Sequence, residues 1–182
     1  MKILAIDQSL VSSGYVIIED DKIINKGTYK PKTKGVERLI DIRNKVIDLI
    51  DYCDVNFIVM EDYSYGSRGR ATFSLGELGG VLKTEIKDTN YYPYTVPIGL
   101  WKKYITGAGN TKKDMILMKV YKKYGHEFKD NNICDAFCIG KFFFDYMDWS
   151  LREKDTWYNK HETECFKKYN KYLIEKVKVN QK

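Results

Sequence analysis

Three carboxylates stand where hydrophobic runs begin or end. Asp7 closes Ile3-Leu4-Ala5-Ile6, Glu61 closes Phe57-Ile58-Val59-Met60, and Asp135 lies in Asn132-Ile133-Cys134-Asp135-Ala136 at the head of an apolar helical pattern. A carboxylate at the end of a buried strand is held rigidly at the rim of a sheet, where metal-ion chemistry is commonly built. Three such groups converging would repel one another strongly unless divalent cations neutralised them. The chemistry this implies is two-metal phosphodiester hydrolysis.

The elements that must position these groups follow from local pattern. Residues 2–7, about 14–19 and about 23–29 read as three strands in an antiparallel meander, with Ser12-Ser13-Gly14 and Asp20-Asp21 as turn chemistry. After Gly35, Val36, Leu39, Ile40, Val46, Ile47 and Ile50 recur at helical spacing. Residues 56–60 form a short buried strand, which after a helix runs parallel to the first. A loop with Gly66 and Gly69 precedes a helix at roughly 71–88, and Tyr94-Thr95-Val96 is a fifth strand ended by Pro97. A short helix near 98–104 leads into the turn Gly107-Ala108-Gly109. Thr111-Lys112-Lys113-Asp114 has the form of a capping box for a helix stopping at Gly125, and the last core helix spans about 132–147. The fold class expected is α/β, a mixed five-stranded sheet flanked by helices, in a domain of residues 1–150. Residues 151–182 change character: lysines alternate with acids and tyrosines along a thin apolar stripe, the pattern of a basic C-terminal extension, helical or partly ordered.

With 182 residues the chain is long enough for a substantial core, and its net charge of +6 permits a polyanionic partner without demanding one. Cys53, Cys134, Cys138 and Cys165 match no zinc spacing and read as reduced thiols. No apolar stretch is long enough to span a bilayer and no secretory signal pattern is present, so a cytoplasmic protein without a membrane partner is the expectation.

At this point the residues carry a resemblance. Ile6-Asp7-Gln8-Ser9 with Ser13-Gly14-Tyr15 resembles the opening of the RuvC-type Holliday junction resolvases, within the RNase H-like superfamily, and phage-encoded members in particular. Val59-Met60-Glu61 resembles their second acidic strand, and Leu75-Gly76-Glu77 with Gly79-Gly80-Val81 the helix after it. Lys102-Lys103, the Gly107-x-Gly109 turn and Lys113 resemble their basic segment, and Asn132-x-x-Asp135-Ala136 their final acidic helix. The resemblance covers residues 1–147 in order. It implies a Mg²⁺-dependent endodeoxyribonuclease with two ions per site, Mn²⁺ able to substitute, resolving four-way DNA junctions by paired symmetric nicks as a homodimer.

On that basis Asp7 is the natural bridging ligand, Glu61 binds from the adjacent strand and Asp135 approaches from the helix. The family often carries a further acid where this chain has Asn132, whose amide oxygen could ligate a metal or orient a water. Asp130, whose spacing of five from Asp135 points it elsewhere on a regular helix, is expected as a cap or loop residue rather than a replacement ligand. The resemblance implies that Lys102 and Lys113 hold the DNA backbone, with Lys103 equivalent if the register slips by one. Lys113 also lies beside a glycine turn that can bring backbone N–H groups to phosphate. Tyr63, Tyr65, Arg68 and Arg70 make a loop suited to stacking on an opened base and to phosphate contact, although the family's aromatic position holds Ser64. Leu75, Leu78, Val81 and Leu82 are a candidate dimer surface, or else core packing. Competing expectations are a less selective RNase H-like branch, flap or hybrid nuclease, and a non-catalytic DNA-structure binder. The actin-like ATPases share an Asp-x-Ser turn but are larger and need paired phosphate loops.

Overall fold

A computed structural model of the chain describes residues 1–63, 70–152 and 157–180. Strands β1 (Lys2–Asp7), β2 (Ser13–Glu19) and β3 (Lys22–Tyr29) form the expected meander. β4 (Phe57–Glu61) lies parallel to β1 on its other side and β5 (Pro93–Val96) parallel to β4, giving the order β3-β2-β1-β4-β5. Asp20 and Asp21, at φ 47° and 65°, turn the β2–β3 hairpin in the left-handed conformation that two-residue loops favour. The β1–β2 connection is tied by serines. Ser9 Oγ accepts from the N–H groups of Val11 and Ser12 at 3.2 and 3.3 Å, and Ser13 Oγ donates to the Ser9 carbonyl at 2.8 Å.

Alternation along the central strands divides the core into two layers. Leu4, Ile6, Ile58 and Met60 meet helices α1 (Val36–Cys53) and α2 (Arg70–Asp88). Ile3, Ala5 and Val59 meet α3 (Ile98–Thr106), α4 (Lys113–Tyr124), α5 (Asn131–Leu151) and α6 (Lys160–Asn180). By the same alternation Asp7 and Glu61, each two residues beyond a residue of the second set, turn toward the α5 side.

Three expectations change in detail. The box at Thr111 is not a cap: Lys112 occupies the N-cap position with no side-chain hydrogen bond, while Thr111 Oγ1 donates to the Ala108 carbonyl at 2.7 Å. The glycine turn competes for the hydroxyl and holds it. In α2, Leu78 and Leu82 are fully buried against the sheet, which is core packing, whereas Leu75 and Val81 of the same candidate surface are half-buried. The helix's outward face presents Phe73 and Glu77 instead. The C-terminal stretch is more deeply packed than its thin apolar stripe implied. Cys165, Phe166 and Tyr169 of α6 are buried against α3 and α5, with the Phe166 ring 5.9 Å from Phe142 and the Tyr169 ring 5.2 Å from it.

α6 also covers the sheet edge. β5 is a terminal strand, and an uncovered strand edge is a template for unwanted pairing. Tyr169 Oη donates to the Thr95 carbonyl at 3.0 Å, and Lys176 Nζ donates to Thr95 Oγ1 at 2.7 Å. Phe166→Ala should therefore cost about 3–5 kcal/mol in urea unfolding, the range for deleting a buried ring. A loss below about 0.5 kcal/mol, the level of ordinary surface substitutions, would show that the core does not depend on α6.

Candidate functional site

Asp7 ends β1 opposite Gly14 of β2, and this pairing sets the site. A Cβ built on Gly14 would lie 2.1 Å from the backbone oxygen of Asn132. Only a glycine lets the first turn of α5 settle directly on the strand beside Asp7. Further along, a Cβ on Gly140 would come within 2.8 Å of the Ala5 Cβ, so the helix lies close to β1 at two points. The start of α5 is fixed by Asp130, whose carboxylate accepts from the N–H groups of Asn132 at 2.8 Å and Ile133 at 3.2 Å. Asp130 is thus the cap its spacing implied. Asp135 follows one turn into the helix and is buried.

Glu61, at the end of β4, is held from two sides. Trp101 Nε1 donates to its Oε2 at 3.3 Å, and Gln8 Nε2 donates to its backbone carbonyl at 3.4 Å. Neither Trp101 nor Gln8 was singled out from sequence. Gln8 follows Asp7 directly in the strand-end motif, which was the available signal. Trp101 could not be placed, since only the packing of α3 brings it to β4.

The three acids act on one another electrostatically. Burial, then the charges of Glu61 and Asp135, push the Asp7 carboxyl well above the usual carboxylate range. Burial raises Glu61 to about 7, against a lowering hydrogen bond from Trp101 and a further rise from Asp135. Burial raises Asp135 as well, opposed by Lys113 and Lys102. Lys113 Nζ lies 3.6 Å from Asp135 Oδ2, half-exposed at the start of α4. Both Lys102 and Lys113 act on Glu61 and Asp135, whereas Lys103 is felt by Cys165 on the α6 side. The basic residue facing the acids from α3 is therefore Lys102.

Among the described residues, no three His, Cys, Asp or Glu side chains close into a compact metal-binding cluster. The acids instead share one desolvated corner from three separate elements. Their donor set fits a hard divalent cation: carboxylate oxygens whose ionisation burial and mutual repulsion oppose, and which a cation would favour. Gln8 Oε1 is buried with no hydrogen-bond partner, an acceptor in the residue next to Asp7 that a cation's water could satisfy. Asn132 is half-buried in the first turn of α5, three residues before Asp135.

The aromatic loop is placed only in part. Tyr63 packs on α2, its ring 2.8 Å from where a Gly79 Cβ would stand, with Lys83 Nζ 3.7 Å from the ring centroid. The ring is half-buried, with one face occupied by the Lys83 ammonium. Tyr65 and Arg68 lie outside the described residues, as does the side chain of Arg70.

A mixed five-stranded sheet with acids at the ends of β1 and β4 and a third acid one turn into α5 is the arrangement the sequence implied, and comparison with known proteins agrees with the RuvC-type resemblance. The chain belongs to the family described as Lactococcus phage M3 protein (DUF3882), whose model matches residues 1–144. It is similar to the crossover junction endodeoxyribonuclease RuvC of Ehrlichia canis, 28% identical over 145 residues that span 76% of this chain and 93% of the relative. RuvC of Helicobacter pylori (strain 26695) is likewise 28% identical, over 148 residues, 76% of this chain and 93% of the relative. The fold is shared with Thermus thermophilus RuvC in complex with a Holliday junction substrate, at TM-score 0.69 and 14% identity, covering 85% of this chain and 97% of that one. The yeast mitochondrial Holliday junction resolvase Ydc2 shares it at TM-score 0.56 and 12% identity, covering 95% and 83%. The RuvC-type resemblance seen in the sequence therefore holds.

The raised carboxyls have a measurable consequence. A group whose folded pKa exceeds its unfolded value adds stability that is present below the unfolded pKa and lost as pH rises through the folded one. For Glu61 that window runs from the ordinary value of 4.5 to about 7. In metal-free buffer, Tm should fall across this window, and Asp7→Asn should raise Tm at pH 8 by several degrees while changing it little at pH 4. An Asp7→Asn protein melting below wild type at pH 8 would show that the acids are not mutually destabilising. Gly14→Ala should lower Tm at both pH values, because the methyl meets helix backbone.

Proposed function

We propose that this chain is a divalent-metal-dependent endodeoxyribonuclease that resolves four-way DNA junctions by paired nicks. The observation that carries it is the convergence of Asp7, Glu61 and Asp135 in one buried corner beside Lys113. That corner is built on a fold shared with a RuvC structure that holds a junction. Asp7, Glu61 and Asp135 would hold Mg²⁺, with Mn²⁺ able to replace it, and Asn132 is the candidate further ligand. Bound there, the metal would supply an activated water and charge neutralisation at the leaving oxygen.

The protein's own residues do the rest. Trp101 and Gln8 fix Glu61, and the α5 cap fixes Asp135. Lys113 and Lys102 supply the positive charge that meets the scissile phosphate, with Lys103 the alternative to Lys102 for the backbone contact. Tyr65, Arg68 and Arg70, from the loop after β4, are proposed to enter the junction centre. Two coordinated nicks need two sites at fixed separation, which a C₂ homodimer provides. The same reading includes a cytoplasmic location; among the described residues no helix is long and apolar enough to cross a membrane.

The test is cleavage of a mobile, end-labelled four-way junction with Mg²⁺, beside linear duplex, flap and RNA–DNA hybrid. Paired symmetric nicks confined to the junction are expected. Asp7→Asn should abolish them and keep junction binding, and Lys113→Ala should lower the single-turnover rate about 10²-fold. Cutting of flaps or hybrids at the same rate would make the protein a broader nuclease, and tight binding without cutting in Mg²⁺ or Mn²⁺ would make it a binder. Affinity should fall linearly in log–log form with salt as phosphate contacts are lost, and a flat response would remove the basic residues from the DNA surface.

A further inference from the structure

Asp62 follows Glu61 in the chain, is 3% exposed, and belongs to none of the site described above. Its N–H donates to the Val96 carbonyl at 2.9 Å, carrying the β4–β5 ladder one residue past Glu61. The pleat turns it away from the acids, and both of its carboxylate oxygens are taken up by α6. Tyr172 Oη donates to Oδ2 at 2.7 Å and Lys176 Nζ to Oδ1 at 2.9 Å. These two residues are four apart and so lie on one helical face. The Lys176 ammonium also donates to Thr95 Oγ1 at 2.7 Å, joining β4, β5 and α6 at one point. From the other side Lys83 of α2 stands 3.8 Å from Oδ1. A buried charged cluster of this kind contributes little net stability, because desolvation offsets its attraction, and apolar residues of similar volume are often as stable. What it contributes is a single arrangement.

We propose that Asp62, gripped by Tyr172 and Lys176 and faced by Lys83, is the positioning residue for Glu61, and that the C-terminal helix is thereby part of the nuclease site. A strand end that leads into a loop frays unless it is tied, whereas a metal ligand must be held to within about 0.5 Å. Here three successive residues are tied in different directions: Glu61 by Trp101 and Gln8, Asp62 by α6, and Tyr63 by Gly79 and Lys83 of α2. In this role Asp62 fixes the backbone from which the Glu61 carboxylate projects. The helix doing so, Lys160–Asn180, lies wholly beyond the 1–144 segment matched to the family. The gripping half of the device, Tyr172 and Lys176, therefore belongs to the part of the chain that the family match leaves out.

The inference rests on Glu61 being a metal ligand, so its test reads metal binding without DNA. Mn²⁺ titration of the full-length protein, followed by EPR, compares wild type with Lys176→Met, Tyr172→Phe, the conservative Lys176→Arg and the exposed control Lys160→Ala. Lys176→Met should weaken Mn²⁺ about tenfold, the lower range for removing a group that orients a ligand. Tyr172→Phe, which keeps the ring in place, should weaken it severalfold, Lys176→Arg should recover part of the loss, and Lys160→Ala should change nothing. The Mg²⁺ needed for half-maximal junction cleavage should rise by the same factors, with metal-free junction affinity unchanged. Lowered Tm with wild-type Mn²⁺ affinity in both Lys176→Met and Tyr172→Phe would reduce the cluster to packing and overturn the inference alone. Wild-type Mn²⁺ binding that survives both Asp7→Asn and Glu61→Gln would overturn the metal site itself, and this inference with it.

Discussion

The close seating of α5 on β1 is the constraint from which the rest of the site follows. Asp7 and Glu61 reach the same rim simply because β1 and β4 are parallel neighbours in register. Asp135 comes from a helix more than seventy residues later in sequence, and reaches them only if that helix packs against bare strand backbone. Gly14 makes this possible opposite Asp7, and Gly140 repeats the device above Ala5. The Asp130 cap then sets where the helix starts, and so which residue one turn further on faces the strand ends.

Holding three carboxylates together costs stability, and the surrounding protein limits that cost without removing it. Trp101 stabilises the ionised form of Glu61 and Lys113 that of Asp135, yet burial prevails and all three carboxyls stay above their ordinary range. A scaffold optimised only for folding would neutralise or expose such groups. Desolvated carboxyls of this sort, whose ionised forms a bound cation would favour, are common at catalytic sites.

Asp62 provides the contrast within one residue of the site. Burial pushes its carboxyl up, but hydrogen bonds from Tyr172 and Lys176 and the Lys176 charge outweigh it and hold the group below the usual range. The partner lysines, Lys83 and Lys176, are drawn down by the same burial. Adjacent acids in β4 and just beyond it thus have opposite fates. One is left short of positive charge on the α5 side, and the other is fully partnered on the α2–α6 side. The pleat of the strand separates a carboxylate raised by burial from one held ionised by its partners.

How much of this the sequence determined depended on the range of the interaction. Strand ends, the hairpin at Asp20-Asp21, the helix cap at Asp130 and the rim positions of Asp7, Glu61 and Asp135 are set by alternation, turn chemistry and spacing, all local. Those were legible, and the ordered motifs made the RuvC-type resemblance specific. The choice of Lys102 over Lys103, the hydrogen bond from Trp101, the packing of Tyr63 on α2 and the grip of α6 on Asp62 depend on how helices distant in sequence pack together. Residues 151–182 read as a basic appendage because the apolar stripe of α6 is narrow and its lysines look solvated. Only the tertiary structure showed that its tyrosines and Lys176 turn inward, since a polar side chain's partner is a property of the assembled fold and leaves no period in the sequence that carries it.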